Sequence, residues 1–261
     1  MKFIEQLKIK TYPFFKNLQN HKVFVSIGSS KLLKLVKDRF LYKNHEPIIV
    51  GDLVSFENMS FYFEAPIKVM SHAKKSGLEA RITRFAMSQL TPGSVAIDVG
   101  ANYGFITLAM AKRVLPDGKV LSFEPDPQIF KKLRDSVTTN DLQDNCILIN
   151  RFAGKSEEDN FVTIDQILTF YGLDEVDFVK IDVDGGDYDV LFGAKQLLSK
   201  YHPPLVIEMG QNQYEIYNFL KGLGYTYFMG MEGETVVPPD FPPNLFASIT
   251  PLVIPVRGSF K

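Results

Sequence analysis

After residue 94, short apolar runs alternate with helical patterns along most of the remaining chain. Each run is continuous, as in strands that are buried on both faces of a parallel sheet. The strand candidates are residues 95–99, 119–124, 146–150, 176–182 and 204–208. Helical patterns separate them, as in right-handed β-α-β crossovers. The chain is therefore predicted to form an α/β fold, a doubly wound three-layer sandwich with a mostly parallel sheet.

The beginning of the chain has a less regular pattern. Residues 46–66 alternate around the pairs 51–52 and 57–58, as in a small hairpin or meander. We predict an N-terminal cap of helices and a small β element over residues 1–78, followed by one main domain over residues 79–261.

Local signals predict how the later elements begin and end. Asp126 before Pro127 has the pattern of a helix N-cap, and a second helix is predicted from Asp187 through Leu198. After Gly224 the pattern changes to two strands around residues 232–233 and a Pro-rich connection. This pattern predicts an antiparallel edge.

Composition excludes several classes of protein. Of the 261 residues, 45% are hydrophobic and 13% aromatic, which is enough for a sizeable core. The 29 basic and 30 acidic residues nearly cancel, so no nucleic-acid partner is expected. Cys146 is the single cysteine, which excludes an intrachain disulfide and a cysteine-based metal cluster. A reducing, cytoplasmic location fits best.

The N-terminal residues 1–22 are basic and contain Phe3, Ile4, Phe14 and Phe15. No apolar run there approaches the roughly 18 residues that a membrane span needs. Two interpretations stay open. We favour a helix docked on its own domain, and the alternative is weak association with a membrane surface or a partner.

The stretch VAIDVGANYG carries the most information about function. An apolar run ends at Asp98, turns through Gly100 and Gly104, and enters a helical pattern, and the next apolar run stops at Glu124. This is the layout of a nucleotide-type site at the carboxyl end of a parallel sheet. The glycines leave room for close backbone approach, and the acid can accept hydrogen bonds from ribose hydroxyls.

Two common nucleotide motifs do not match this loop. A dinucleotide site needs a third glycine where Asn102 stands, and no Gly-Lys-Ser/Thr sequence of a P-loop follows. The pattern D-x-G-A-N-x-G, followed by an acid at the end of the next strand, instead resembles class I S-adenosylmethionine-dependent methyltransferases.

The resemblance narrows to the FkbM family of methyltransferases. Five segments match the family over roughly residues 79–209. They are VAIDVGANYGFITLAMA, GKVLSFEPDP, VTIDQIL, VDFVKIDVDGGDYDVLFGAKQLL and PPLVIEM. It implies a seven-stranded, Rossmann-like sheet and S-adenosylmethionine as cofactor. The family consists largely of O-methyltransferases that act on hydroxyls of sugars, polyketides and other metabolites.

The resemblance also implies roles for the loop residues. Asp98 lies near the methionine end of the cofactor, reached through its ammonium group or a water, and Glu124 takes the ribose hydroxyls. The segment between Gly100 and Gly104 passes under the sulfonium and the ribose. The expected cofactor-binding residues are Asp98, Gly100, Ala101, Asn102, Tyr103, Gly104, Glu124 and Asp126.

The family signature K-I-D-x-E-G-x-E matches residues 180–187 with two departures. Asp184 and Asp187 stand where the family has glutamates. Each side chain is one methylene shorter, so family contacts made through these two positions do not transfer directly to this chain.

Three residues are candidates for acting on the methyl acceptor. Asp182 ends its strand at the edge where ligands bind, and a hydroxyl acceptor must lose its proton, so Asp182 is the first candidate for a base or orienting group. Lys180 would tune Asp182 or hold the acceptor, and Glu208, at the end of the next strand, is the second candidate base. The alternatives are a structural ion pair of Lys180 with Asp182, and an anchoring role for Glu208.

No metal site is predicted. The acids at 182, 184, 187 and 189 do not match the calcium-loop template, although some methyltransferases hold vicinal hydroxyls with magnesium. Asp165 is predicted to be a structural helix cap. His202, at the amino end of the last parallel strand, is predicted to lie away from the site.

The predicted function is the transfer of a methyl group from S-adenosylmethionine to a hydroxyl oxygen of a sugar or another small metabolite. Two alternatives stay open: an N-methyltransferase of a macromolecule, and a non-catalytic nucleotide-binding protein. The chain lacks an Asn/Asp-Pro-Pro-Tyr/Phe type motif on its fourth strand, which disfavours the first alternative. The oligomeric state is left open.

Overall fold

A computed structural model describes residues 47–156, 160–183 and 185–260. The predicted features of residues 1–22 and the signature residue Asp184 lie outside these ranges. Residues Val50–Lys261 form one compact unit, which includes the end of the predicted N-terminal cap. The boundary between residues 78 and 79 stays a prediction. Among the described helices, none is long and apolar enough to cross a membrane.

The described residues form eleven strands, several of them short. Their bounds are β1 Ile49–Phe56, β2 Met59–Pro66, β3 Val95–Val99, β4 Lys119–Phe123, β5 Cys146–Ile149, β6 Phe152–Ala153, β7 Phe161–Val162, β8 Phe178–Ile181, β9 Leu205–Glu208, β10 Tyr227–Met229 and β11 Asn244–Ser248.

Eight helices lie in the same ranges. Their bounds are α1 Ile67–Ser76, α2 Ala80–Gln89, α3 Phe105–Val114, α4 Pro127–Thr139, α5 Ile164–Tyr171, α6 Asp187–Gly193, α7 Lys195–Tyr201 and α8 Gln213–Gly222. The side chain of Asp126 caps α4 by accepting hydrogen bonds from two backbone N–H groups, so that prediction is confirmed.

A seven-stranded sheet forms the centre of the unit, in the order β10-β11-β9-β8-β3-β4-β5. The five strands from β9 to β5 are parallel, and β11 is antiparallel to both of its neighbours. All five strand candidates lie in this parallel part. The predicted doubly wound, mostly parallel α/β fold is confirmed.

Alternation along the strands creates a separate core on each face of the sheet. Ala96 and Phe178 face one core, which is completed by α1 to α4 and by the β1–β2 hairpin. Ile97 and Val179 face the other core, which is completed by α5 to α8. Because both faces are covered, each parallel strand is a continuous apolar run in the sequence.

The β1–β2 hairpin supports the helix that follows the glycine loop. The rings of Phe56, Phe61 and Phe63 pack edge-on around Phe105, with ring centroids 5.3–5.6 Å apart. Phe105 is the first residue of α3 and directly follows Gly104. The hairpin thereby fixes the point where the loop becomes a helix, since aromatic pairs of this geometry add to the energy of simple burial.

Helix α2 packs over β8 and β11 on the same face. The ring of Phe85 lies 5.8 Å from that of Phe178 and 4.6 Å from that of Phe246. These three rings are fully buried. They hold the helix across the sheet, and the helix begins near the carboxyl ends of the parallel strands.

The predicted helix from Asp187 through Leu198 is divided into α6 and α7 at Ala194. The Asp165 carboxylate explains the division, because it accepts hydrogen bonds from the backbone N–H groups of Gln196 and Leu197 at 2.9 Å each. In a continuous helix those N–H groups would bond within the helix. Asp165 is thus a structural cap, as predicted, but it caps α7 rather than its own helix.

Of two further turn predictions, one needs correction and the other is confirmed. Residues 51–52 lie inside β1, and the hairpin turns at residues 57–58 only. The antiparallel edge is present, and the chain turns around residues 232–233, where Met229 forms an antiparallel bridge with Thr235 and Gly230 N–H donates to the Glu234 carbonyl at 2.9 Å. The strand β11 follows only at the end of a longer connection over residues 230–243. The Glu234 side chain holds the first part of that connection by accepting a hydrogen bond from the backbone N–H of Glu232 at 2.9 Å.

Candidate active site

Strand register brings the predicted site residues into one row at the carboxyl edge of the sheet. Val99 pairs with Phe123 on one side and with Ile181 on the other, and Ile181 pairs with Ile207. The next residue of each strand therefore joins the row, whose members are Glu124, Gly100, Asp182 and Glu208. Neighbouring strands lie about 4.8 Å apart, so the row spans about 15 Å.

The glycine loop is attached to the end of β4 by its backbone. The N–H groups of Gly100 and Ala101 both donate to the Phe123 carbonyl, at 3.0 and 2.9 Å, and Gly104 N–H donates to the Ala101 carbonyl at 2.9 Å. Asn102 at the exposed tip has a left-handed φ of 52°. A non-glycine residue in this region is uncommon and concentrates at functional sites.

Both glycines have left-handed backbone dihedrals, and Gly100 is in addition required by the packing of the protein itself. Gly100 has a φ of 77°, and a Cβ there would lie 1.8 Å from the backbone oxygen of Asp182. Gly104 has a φ of 90°, and a Cβ there would lie 2.4 Å from Leu133 Cδ1. At Gly100 the chain's own backbone therefore makes the close approach predicted at this loop, whereas the neighbour at Gly104 is the end of a flexible side chain.

Glu124 holds the loop through both carboxylate oxygens. Oε2 accepts a hydrogen bond from Asn102 N–H at 2.8 Å, and Oε1 accepts one from Asp126 N–H at 2.9 Å. Burial raises the pKa of this carboxyl, which the two backbone hydrogen bonds oppose. Each carboxylate oxygen has a second lone pair, so Glu124 can still accept from ribose hydroxyls.

Tyr103 and Asp126 lie beside Glu124. Burial raises the pKa of the Tyr103 hydroxyl, and the charges of Asp126 and Glu124 raise it further. Asp126 is exposed, and its Oδ1 accepts hydrogen bonds from Gln128 N–H at 2.8 Å and Ile129 N–H at 3.0 Å. These three predicted cofactor residues therefore lie together at one end of the row.

A buried polar row lies below the loop. Asp98 pairs with Lys180 on β8 and with Ser122 on β4. Asp98 is 0% exposed, and its Oδ2 accepts a hydrogen bond from Thr107 Oγ1 at 2.7 Å. Its Oδ1 lies 3.3 Å from Lys180 Nζ, a close ion pair without a directed hydrogen bond. The Asp98 carboxylate is thus committed to partners inside the protein.

Lys180 links the loop to Asp182. Its Nζ donates to the Gly100 carbonyl at 2.8 Å and lies 3.8 Å from Asp182 Oδ2. Burial alone lowers the pKa of this ammonium, but Asp98, Asp182 and Glu79 together hold the pKa above its ordinary value. Lys180 is therefore a permanent cation and is unsuited to act as a base at neutral pH.

Asp182 and Glu208 are the accessible members of the row. The Asp182 side chain is 30% exposed, and its backbone N–H donates to the Val99 carbonyl at 3.1 Å. Glu208 is half-buried, and in the register it pairs with Asn244 of β11. The register therefore makes the two candidate bases neighbours at the edge of the sheet.

Asp187 and His202, which are not predicted to act in the site, form local hydrogen bonds in the structure. Asp187 is 2% exposed and closes the loop before α6, where its carboxylate accepts from Val183 N–H at 3.2 Å and Gly185 N–H at 3.3 Å. His202 bonds the Leu223 carbonyl at 2.9 Å, before the amino end of β9. Among the residues described, no group of three or more His, Cys, Asp or Glu side chains is arranged to hold a metal ion.

Glu79 is a site residue that the sequence pattern did not reveal. Its carboxylate interacts electrostatically with Lys180, Asp182 and Asp98. The side chain is exposed, yet the protein around it desolvates the carboxylate and raises its pKa, as in a group that stands in a concave site. An acid before a helix is commonplace in sequences, so no local signal separates Glu79 from an ordinary first-turn carboxylate.

The connection over residues 230–243 lies next to the row on its β9 side. The backbone N–H of Met209, which follows Glu208, donates to the Pro243 carbonyl at 2.7 Å. A cavity of about 360 Å³ opens in this connection, lined by Glu234, Thr235, Val236, Val237, Asp240, Phe241 and Pro242. The ring of Phe241 packs 5.1 Å from that of Tyr214 on α8.

The residues present fit S-adenosylmethionine. Accessible carboxylates at Glu79 and Asp182 suit a ligand that carries a sulfonium and an ammonium cation, and Glu124 retains acceptor capacity for ribose hydroxyls. Backbone hydrogen bonds to β4 hold the start of the loop between Gly100 and Gly104, and such preorganisation favours ligand binding.

Two family models match parts of the chain, and neither covers half of it. Residues 51–174 match the family model of protein-L-isoaspartate(D-aspartate) O-methyltransferase, and residues 150–227 match that of the methyltransferase FkbM domain. Both models describe methyltransferases, and the fold is that of the class I methyltransferases. The match to the FkbM domain confirms the predicted FkbM-type resemblance.

Individual relatives are distant. Over 58 residues the chain is 33% identical to an arsenite methyltransferase of Halobacterium salinarum, a match that covers 22% of this chain and 15% of that protein. A crystal structure of a methyltransferase FkbM from Methylobacillus flagellatus has a TM-score of 0.48 and 19% identity, covering 60% of this chain and 43% of the other. An S-adenosylmethionine-dependent O-methyltransferase from Thermotoga maritima has a TM-score of 0.48 and 16% identity, covering 76% and 77%.

Proposed function

We propose that this protein is a methyltransferase that transfers the methyl group of S-adenosylmethionine to a hydroxyl oxygen of a small metabolite, such as a sugar. The observation that carries the proposal is the position of Asp182. Its carboxylate is accessible at the edge of the sheet, while its backbone oxygen lies directly against Gly100 of the cofactor loop. A proton acceptor is thereby held next to the place where the cofactor loop begins.

Each residue of the row has a role in this proposal. When bound, the cofactor would supply an electrophilic methyl group, whose bond to sulfur would break as the acceptor oxygen takes the methyl group, with S-adenosylhomocysteine as the leaving group. Asp182 accepts the proton of the acceptor hydroxyl as the new carbon–oxygen bond forms, and Glu208 hydrogen-bonds a second hydroxyl or serves as an alternative base. The ammonium group of Lys180 contacts both the Asp182 carboxylate and the Gly100 carbonyl and so fixes their relative positions. The acceptor oxygen and the methyl group would thereby meet in a defined orientation.

The cavity in the connection over residues 230–243 supports a small acceptor. It combines the aromatic ring of Phe241 with the carboxylates of Glu234 and Asp240, a mixture that suits the apolar face and the hydroxyls of a sugar. The near-zero net charge supports a small acceptor over a nucleic acid. The near-neutral charge of the sequence and its lack of an Asn/Asp-Pro-Pro-Tyr/Phe type motif both disfavour a macromolecular N-methyltransferase.

The test is a screen of small hydroxylated acceptors with methyl-labelled cofactor, followed by Asp182→Asn. The variant should bind S-adenosylmethionine as the parent does in calorimetry, while its turnover falls about 10²- to 10⁴-fold because the base is lost. Asp189→Asn is the matched control, since Asp189 is a nearby carboxylate that pairs with Lys155 at 3.4 Å and is 49% exposed. It should leave both quantities unchanged.

Three outcomes would contradict the proposal. An unchanged rate in Asp182→Asn would remove Asp182 from the chemistry. Methylation of amines or of RNA without methylation of any hydroxyl would favour the N-methyltransferase alternative. Cofactor binding without turnover on any acceptor would favour the non-catalytic alternative.

A further inference from the structure

The edge around Lys180 carries more acidic than basic groups. The carboxylates of Glu79, Asp98 and Asp182 all interact with the ammonium group of Lys180. Asp98 and Lys180 are buried below the glycine loop, whereas Glu79 is exposed and Asp182 is partly exposed. An accessible edge with excess negative charge favours a cationic group of the ligand.

The packing of α2 places Glu79 at this edge independently of any charge. Phe85 packs on Phe178, near the amino end of β8. Glu79 precedes Phe85 by six residues, about 9 Å along a helix, and Lys180 and Asp182 lie about 7 and 13 Å beyond Phe178 along the strand. Because α2 ends at Gln89, shortly before β3 begins at Val95 at the amino edge of the sheet, the start of α2 points toward the carboxyl edge, where the row of site residues runs.

Among the described residues, hydrogen bonds fix the backbone of Glu79 but none involves its carboxylate. The residue has left-handed dihedrals, φ 44° and ψ 46°, and its carbonyl accepts hydrogen bonds from Thr83 N–H at 2.9 Å and from Thr83 Oγ1 at 3.2 Å. Its side chain does not cap α2. In the described part of the chain, the Glu79 carboxylate has no hydrogen bond or ion pair, so its accepting capacity is left for a ligand.

Asp98 is poorly placed to bind the methionine end of the cofactor. It is fully buried, and its two oxygens face Thr107 and Lys180. A direct contact with a ligand would expose Lys180 and break the ion pair, which is costly for buried charges. The α-ammonium group of the cofactor therefore needs another carboxylate at the same edge.

We infer that Glu79 receives the α-ammonium group of the methionyl part of S-adenosylmethionine, which makes it a cofactor-binding residue outside the glycine motif. Asp98 then has a positioning role through Lys180 and the Gly100 carbonyl. An ammonium–carboxylate hydrogen bond is short and strong because both groups are charged. The inference rests on the cofactor and is independent of the acceptor in the proposed function.

The test compares three ligands by calorimetry: S-adenosylmethionine, S-adenosylhomocysteine, and the deaminated analogue of S-adenosylhomocysteine. In Glu79→Gln, the affinities for the first two should fall about 10- to 100-fold, because a charge-assisted hydrogen bond is lost. The affinity for the analogue, which lacks the ammonium group, should not fall. Since the analogue probes the same pocket, its retained binding also shows that the variant is folded.

Glu232→Gln is the matched control. Glu232 is an exposed carboxylate that pairs at 2.6 Å with Arg81, two residues from Glu79, and its substitution should change none of the three affinities. Unchanged affinity of Glu79→Gln for S-adenosylmethionine would overturn the inference, and so would an equal loss for all three ligands. Normal cofactor binding by both variants would still leave the proposed acceptor chemistry standing.

Discussion

The two halves of the site edge are built in different ways. On the side of β3 and β4, hydrogen bonds of 2.8–3.0 Å connect the parts of the site to one another. They join the glycine loop to the end of β4, Glu124 to the N–H groups of Asn102 and Asp126, and Lys180 to the Gly100 carbonyl. On the side of β9, the connection over residues 230–243 lines an open cavity and leaves Val237 67% exposed. The difference separates a rigid cofactor half from a looser half that is suited to vary with the acceptor.

The distribution of charge reinforces this contrast. The cofactor half contains a buried ion pair that connects two strands and the loop, so that a change in one group disturbs the others. The looser half depends on aromatic contacts between Phe241 and the Tyr214 and Tyr217 rings. Substitutions in the first half should therefore cost more stability than those in the second.

The largest effect is expected from Lys180→Met. The variant leaves the Asp98 carboxylate buried without its counter-charge, and breaking a buried pair in this way costs about 3–5 kcal/mol. Denaturant unfolding measures the loss. The double variant with Asp98→Asn should recover part of it, because the uncompensated charge is then absent. A single variant as stable as the parent would show that the cofactor half does not depend on this ion pair.

A smaller but sharper effect is expected from Gly100→Ala. The added Cβ would lie 1.8 Å from the Asp182 oxygen at a φ of 77°, and left-handed strain plus overpacking should cost about 2–4 kcal/mol and weaken cofactor binding. Gly93→Ala is the matched comparison, with a φ of 91° and no atom within 4 Å of the added Cβ. It should show only the strain, about 1–2 kcal/mol. Equal losses in thermal unfolding would disprove the tight contact.

The smallest effect is expected from Phe241→Ala. Removal of this half-buried ring should cost about 1–2 kcal/mol, leave cofactor affinity unchanged, and raise the KM for the acceptor. Phe170→Ala, at a ring that is 79% exposed, is the control and should change neither affinity nor KM. If Phe241→Ala weakened cofactor binding as much as Gly100→Ala, the two halves would not be independent.

The strands and the cofactor loop were predictable because their signals are local. Each parallel strand is an apolar run whose length and order survive in the fold, and Asp126 caps α4 from directly before it. The helix break at Ala194 was not predictable in this way. It depends on Asp165, which lies about 30 positions earlier in the chain and binds the N–H groups of Gln196 and Leu197.

The sequence by itself determined the α/β alternation, the glycine loop with Glu124, and the strand-end positions of Asp182 and Glu208. All of these follow from periodicity and from the rule that parallel strands end at a common edge. Only the tertiary structure decided which carboxylates remain accessible. Asp98 is buried against Lys180, while Glu79 approaches the same edge from a helix that lies 100 positions before Lys180 along the chain. The burial of a carboxylate and the identity of its ion-pair partner depend on packing between segments that are distant in the chain. A local sequence pattern therefore does not predict them.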